Sequence, residues 1–97
     1  MKVNGFDWDN GNRDKCQKHG VSITEIEQLF VDPPSPLLMN DDKHSGSETR
    51  FMAVGQTEEG RNVFVGFTLR EIDGQTLIRP ITARYMHQRE VDQYEQR

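Results

Sequence analysis

From Thr49 to Arg84 apolar and polar residues alternate in three successive runs, Thr49 to Thr57, Asn62 to Arg70 and Gln75 to Arg84. A period of two marks half-buried strands. The runs are broken by Glu58-Glu59-Gly60, where Gly60 suits a positive φ, and by Asp73-Gly74, a strong hairpin signal. Three consecutive antiparallel strands, a meander, follow. Upstream, Val3 to Trp8 sets Phe6 and Trp8 against Gly5 and Asp7 as a short strand would. Asp9 or Asn10 then caps a helix that stops at Gly20. Cys16 is nearly the only apolar residue of this helix, which predicts a surface position. Ser22 and Glu25 form an S-x-x-E capping box with Val21 and Ile26 at the staple positions around it. The second helix carries Ile26, Leu29 and Phe30 on one face and ends before Pro33-Pro34. Leu37 to Met39 is a short strand, and Asn40 to Glu48 a polar, flexible loop. Past Ala83 the period changes, and from Met86 the chain reads as a terminal helix.

These elements predict an α+β fold in the order β, α, α, β, β, β, β, α. The sheet is a small antiparallel meander, with an N-terminal helix hairpin on one face and a C-terminal helix. A two-residue turn at Asp73-Gly74 sets Thr68 opposite Arg79, Gly66 opposite Ile81 and Phe64 opposite Ala83. A three-residue turn ending at Gly60 sets Arg50 opposite Thr68, Met52 opposite Gly66 and Val54 opposite Phe64. One face then shows Phe51, Ala53, Val63, Val65, Phe67, Leu69, Ile78 and Pro80, the bed for the helix hairpin. The other carries a row Arg50, Thr68, Arg79, with Glu48 paired to Arg70 beside it. Its far end is apolar: Met52, Val54, Phe64, Ile81 and Ala83. Pro80 cannot donate to a ladder and marks an edge or a bulge, which would exchange Arg79 and Ile78 between faces.

At 97 residues the chain is one domain, 1–97, able to bury roughly two-thirds of its unfolded surface. Cys16 is the only cysteine, so an internal disulfide and a cysteine-rich zinc site are excluded. The N-terminus lacks the apolar centre of a signal peptide, and no run of about 18 apolar residues exists. A cytoplasmic protein is expected. The net charge of -4 argues against a general nucleic-acid binder, although phosphate is contacted by local arginine clusters and not by mean charge.

Those clusters are present. Arg50 and Arg79, aligned through Thr68, are expected to clamp one phosphate group with their planar forks. His44, on the loop before Arg50, or His87, on the terminal helix with Val91 and Tyr94, would move protons. Arg70 is read as the partner of Glu48. Arg84 is expected on the core-facing side of its strand, in an ion pair with Glu90. His19 belongs to a helix-stop pattern. The three histidines show no H-x-x-x-H or H-x-H spacing, so neither a metal nor another cofactor is expected.

Five stretches taken together resemble the BrnT toxins: FDWD from Phe6, KHGVS from Lys18, H-S-x-x-E from His44, E-x-R-F from Glu48, and ITARYMHQRE from Ile81. Pro80 and Arg84-Tyr85-Met86 depart from the common ISAR-x-A form. The resemblance implies the toxin half of a type II toxin-antitoxin pair, with a RelE/ParE-like fold and ribonuclease activity. It also implies a ribbon-helix-helix, CopG-like antitoxin of the BrnA type, through which alone the chain would meet DNA. Without a metal, a base, an acid and arginines around the phosphorane would carry the chemistry. The alternative is a non-catalytic module, partner and corepressor of a DNA-binding antitoxin. The apolar end of the second sheet face and the terminal helix are where an antitoxin or a second copy of the chain is expected to dock, unless that helix itself covers the patch.

Overall fold

In the computed structural model, which describes residues 3–95, the elements occur in the expected order. Strand β1 (Gly5–Phe6) is followed by helices α1 (Asn10–Gln17) and α2 (Ile23–Val31) and strand β2 (Leu37–Asn40). Then come β3 (Phe51–Gln56), β4 (Asn62–Ile72), β5 (Gln75–Tyr85) and helix α3 (Gln88–Glu95). One five-stranded sheet runs in the order β1-β5-β4-β3-β2, antiparallel except for β1, which joins β5 in parallel.

Local signals work as their chemistry requires. Ser22 accepts from the Glu25 backbone N–H at 3.1 Å while Glu25 accepts from that of Ser22 at 3.0 Å, and Val21 and Ile26 are fully buried around them. Asp9 caps α1 in the same reciprocal way with Asn12. The β4–β5 turn has positive φ at both Asp73 and Gly74, the backbone that a two-residue hairpin between twisted strands needs.

The helix hairpin covers the predicted face. Cys16, Val21, Ile26 and Leu29 pack with Ala53, Val63, Val65, Phe67 and Ile78 in one core. Phe67 stacks on Phe51 at 5.5 Å and meets Phe30 edge-on at 5.0 Å. Helix α1 ends three residues before Gly20 and lies on the surface as expected, except that Cys16 is wholly buried. Asn12 is buried with it, because its amide donates to the carbonyls of Asp7 and Pro80, both at 2.9 Å, and so ties helix to strand.

The register departs from expectation at one point. Thr68 faces Arg79 and Phe67 faces Pro80 in the predicted register, but Gly66 faces Thr82 instead of Ile81, leaving Ile81 as an extra residue in β5. Proline offers no N–H to the ladder, and the bulge falls beside it. Arg79 and Ile78 keep their faces, while every residue past the bulge changes sides. Ala83 therefore enters the core, fully buried and opposite Val65, instead of joining the apolar outer patch. Arg84 turns from the predicted core side to the outer face, opposite Phe64.

Helix α3 covers much of that outer patch itself. Met86 and Val91 bury Val54, with Met39, Phe64 and Tyr94 packed around them, while Met52 and Ile81 stay half-buried. This is the intramolecular alternative for the patch. No helix among the described residues is long and apolar enough to cross a membrane.

Candidate functional site

The loop between β2 and β3 is short of apolar residues and closes by hydrogen bonds. Asp41 N–H donates to the Arg50 carbonyl at 2.8 Å. The Ser45 hydroxyl donates to the Asp41 carbonyl at 2.8 Å and accepts from the Arg50 N–H at 2.9 Å. Between these ends Asp42–His44 forms one 3-10 turn, capped by the Asp41 side chain. The loop is therefore a bracket that hangs His44 beside the start of β3.

Below it lies a groove of about 450 Å³ on the outer sheet face, walled by Met52, Phe64 and Thr82 and bearing His44, Arg50, Arg84 and Tyr94. The Arg50 guanidinium lies across Gly66. Arg84 sits 5.1 Å over the Phe64 ring and holds Glu90 at 3.1 Å. The Glu90 carboxyl is kept below its ordinary value of 4.5, first by the His87 N–H and then by Arg84. With Lys43 on its rim, the groove concentrates positive charge in a chain whose net charge is -4. Two orphaned polar atoms belong to this neighbourhood: buried Arg50 Nε and Thr68 Oγ1 have no hydrogen-bond partner among the described residues.

His44 is oriented from behind. Its Nδ1 lies 3.0 and 2.9 Å from the two carboxylate oxygens of Asp41, whose side chain is only 8% exposed against 57% for the imidazole. Asp41 escaped the sequence reading because a carboxylate in a loop of two aspartates, a lysine and two serines looks solvated. The D-x-x-H spacing was the available signal.

The other predicted residues lie elsewhere. Arg79 keeps its place in the backbone row, but its guanidinium goes to Asp9 at 2.7 Å and Asp7 at 3.3 Å, away from the groove. The Asp9 carboxyl is held below its ordinary 3.8 first by the Asn12 N–H and then by Arg79. Arg79 thus fastens the N-terminal strand and the start of α1 to β5. Arg70 pairs with Glu48 at 3.3 Å, as expected. His87 immediately precedes α3 and is exposed, whereas Val91 is buried; the His87 carbonyl accepts the N–H groups of Glu90 and Val91. His19 is exposed at the end of the α1 turn. The Cys16 thiol, pushed up to about 11 by burial, is no nucleophile at neutral pH. Among the described residues no three His, Cys, Asp or Glu side chains gather to hold a metal ion.

A histidine backed by a carboxylate, facing two arginines across a half-apolar groove, can take a proton and stabilise a phosphate. No curated protein matches the chain. Residues 8–90, which span the groove apart from Tyr94, match the family described as ribonuclease toxin, BrnT, of type II toxin-antitoxin system. The chain belongs to the BrnT family of ribonuclease toxins.

Proposed function

We propose that this toxin cleaves RNA in the groove beneath the Asp41–Arg50 loop, without a metal ion. The observation that carries the reading is the convergence of His44, Arg50 and Arg84 on one concave surface. In the step proposed, His44 Nε2 takes the proton of a ribose 2′-hydroxyl, and the 2′-oxygen bonds to phosphorus as the P–O5′ bond breaks. Tyr94 gives its proton to the departing 5′-oxygen. Arg50 and Arg84 offset the charge that grows on the phosphorane, the task for which rigid guanidinium forks suit an active site. The products are a 2′,3′-cyclic phosphate and a 5′-hydroxyl.

A type II toxin has an antitoxin partner, and we assign that partner to the ribbon-helix-helix class. Co-expression of the neighbouring reading frame, if it encodes such a protein, should restore growth to cells in which this chain is induced.

The decisive test uses purified protein and labelled RNA in excess chelator. Cleavage should continue, leaving cyclic phosphate ends. Arg50→Ala should slow it on the order of 100- to 1000-fold, the usual cost of one donor to a developing oxyanion. Arg79→Ala should lower the melting temperature yet leave the rate of the folded fraction close to parental. A folded His44→Gln, Arg50→Ala double variant that cuts at the parental rate would remove the site from this groove. Activity abolished by chelator would overturn the metal-independent step. A folded wild-type protein that binds its antitoxin and leaves RNA intact would favour the corepressor reading, which the acidic net charge also suits.

A further inference from the structure

We infer that Asp41 is a positioning residue that holds His44 in the one tautomer able to accept a proton from RNA. The inference rests on the reading of His44 as the base. Both oxygens of an ionised carboxylate are acceptors only, so a neutral His44 within 3.0 Å of them must carry its proton on Nδ1. The lone pair is then left on Nε2, the nitrogen not engaged by Asp41. A histidine with the opposite tautomer would present N–H there and could not serve as base at all.

Asp41 is built for this task beyond mere proximity. Its side chain is almost wholly buried at the end of β2 although the loop that follows is polar and exposed. Its backbone is fixed at both ends, N–H to Arg50 and carbonyl to Ser45, which holds in place the main chain from which the carboxylate reaches His44. Oδ1 also takes the His44 backbone N–H at 3.3 Å. That contact matters for substitution. In Asp41→Asn the backbone N–H keeps the amide oxygen at the Oδ1 position, which leaves the NH₂ group where Oδ2 lay, 2.9 Å from Nδ1. An amide donor there, nearer to Nδ1 than the amide oxygen at 3.0 Å, favours Nδ1 as acceptor, and the ring proton moves to Nε2. The loop keeps its shape while the base loses its lone pair. The same hydroxyl bracket that fixes Asp41 also fixes Arg50, so base and phosphate clamp share one support.

The experiment has two independent readouts on the full chain. The first is nitrogen-15 NMR of the imidazole in the absence of RNA, which reports the tautomer whether or not the protein is an enzyme. Wild type should show neutral His44 protonated at Nδ1, and Asp41→Asn should show it protonated at Nε2. The second is kinetics. Asp41→Asn should lower kcat on the order of 100- to 10,000-fold, the scale seen when a triad histidine is left in the wrong tautomer. Its affinity for an uncleavable 2′-deoxy analogue should remain within about twofold, since the arginines and not the imidazole hold phosphate. A wild-type ring protonated at Nε2 overturns the inference, as does an Asp41→Asn protein that keeps the wild-type tautomer and rate. Loss of analogue affinity in step with rate would make Asp41 a structural residue only, and would equally overturn it. Should His44→Gln cleave at the parental rate, the proposed base fails, and the NMR result still tells whether Asp41 sets the tautomer.

Discussion

Gly66 leaves room for the Arg50 guanidinium: a Cβ at that position would lie 3.2 Å from Arg50 Nη2 and 3.1 Å from Thr82 Cγ2. Glycine weakens a strand interior, and its presence in β4 marks the close approach of another group. Gly66→Ala is expected to push Arg50 off the strand by a few tenths of an ångström. Since a misplacement of about 1 Å can cost roughly 100-fold, a shift of this smaller size should slow cleavage by up to about 10-fold, measured against a modest change in melting temperature. Gly55→Ala is the contrasting control, since there the Cβ would stand 2.6 Å from Leu29 Cδ1 in the core. Overpacking of that kind costs about 1–3 kcal/mol, so this variant should lose stability in urea and keep the cleavage rate of its folded fraction. Both glycines read alike along the chain. Only the neighbours brought by folding tell the one beside Arg50 from the one against Leu29.

Helix α3 is held at its first turn by charge. The Glu90 carboxyl accepts from the His87 N–H at 3.2 Å and from Arg84 at 3.1 Å, which keeps it ionised to lower pH than an unfolded chain would. A depressed value in the folded state means stability that is fully present above the unfolded value of about 4.5 and is lost as pH falls through the lower folded value. Acidification through that window should therefore loosen α3 ahead of the sheet. Amide exchange at Val91 should rise there while exchange at Val65 stays slow. In Glu90→Gln the difference should already exist at neutral pH and show little further acid dependence. The helix matters to the groove because it carries Tyr94 and because Met86 and Val91 close the small core beneath Phe64. Arg84 serves both elements, pairing with Glu90 and facing the groove, so Arg84→Ala alone would not separate folding from chemistry.

For the molecule as a whole the main core is built around Phe67, 1% exposed, between the rings of Phe30 and Phe51. Phe67→Ala is expected to cost about 3–5 kcal/mol. Set against the roughly 5–15 kcal/mol by which small domains are stable, that change should bring urea unfolding close to zero denaturant. What the sequence alone determined was local: the element order, the Ser22–Glu25 box, the Asp73-Gly74 hairpin and hence Thr68 opposite Arg79, the pairs Glu48–Arg70 and Arg84–Glu90, and the motifs of the BrnT family. Each of these is encoded in a turn, a cap, a hairpin register or a shared motif. Tertiary structure decided the rest. One extra residue beside Pro80 reverses every side chain beyond it, which carries Arg84 into the groove and Ala83 into the core. Two carboxylates, Asp7 and Asp9, about seventy residues away from Arg79 in the chain, draw its guanidinium from the phosphate clamp that its register predicted. Asp41 became a partner for His44 only once the loop closed on Ser45. Periodicity carries no information about a one-residue bulge or about which distant charge reaches an arginine first, because both depend on groups that meet only when the sheet has formed.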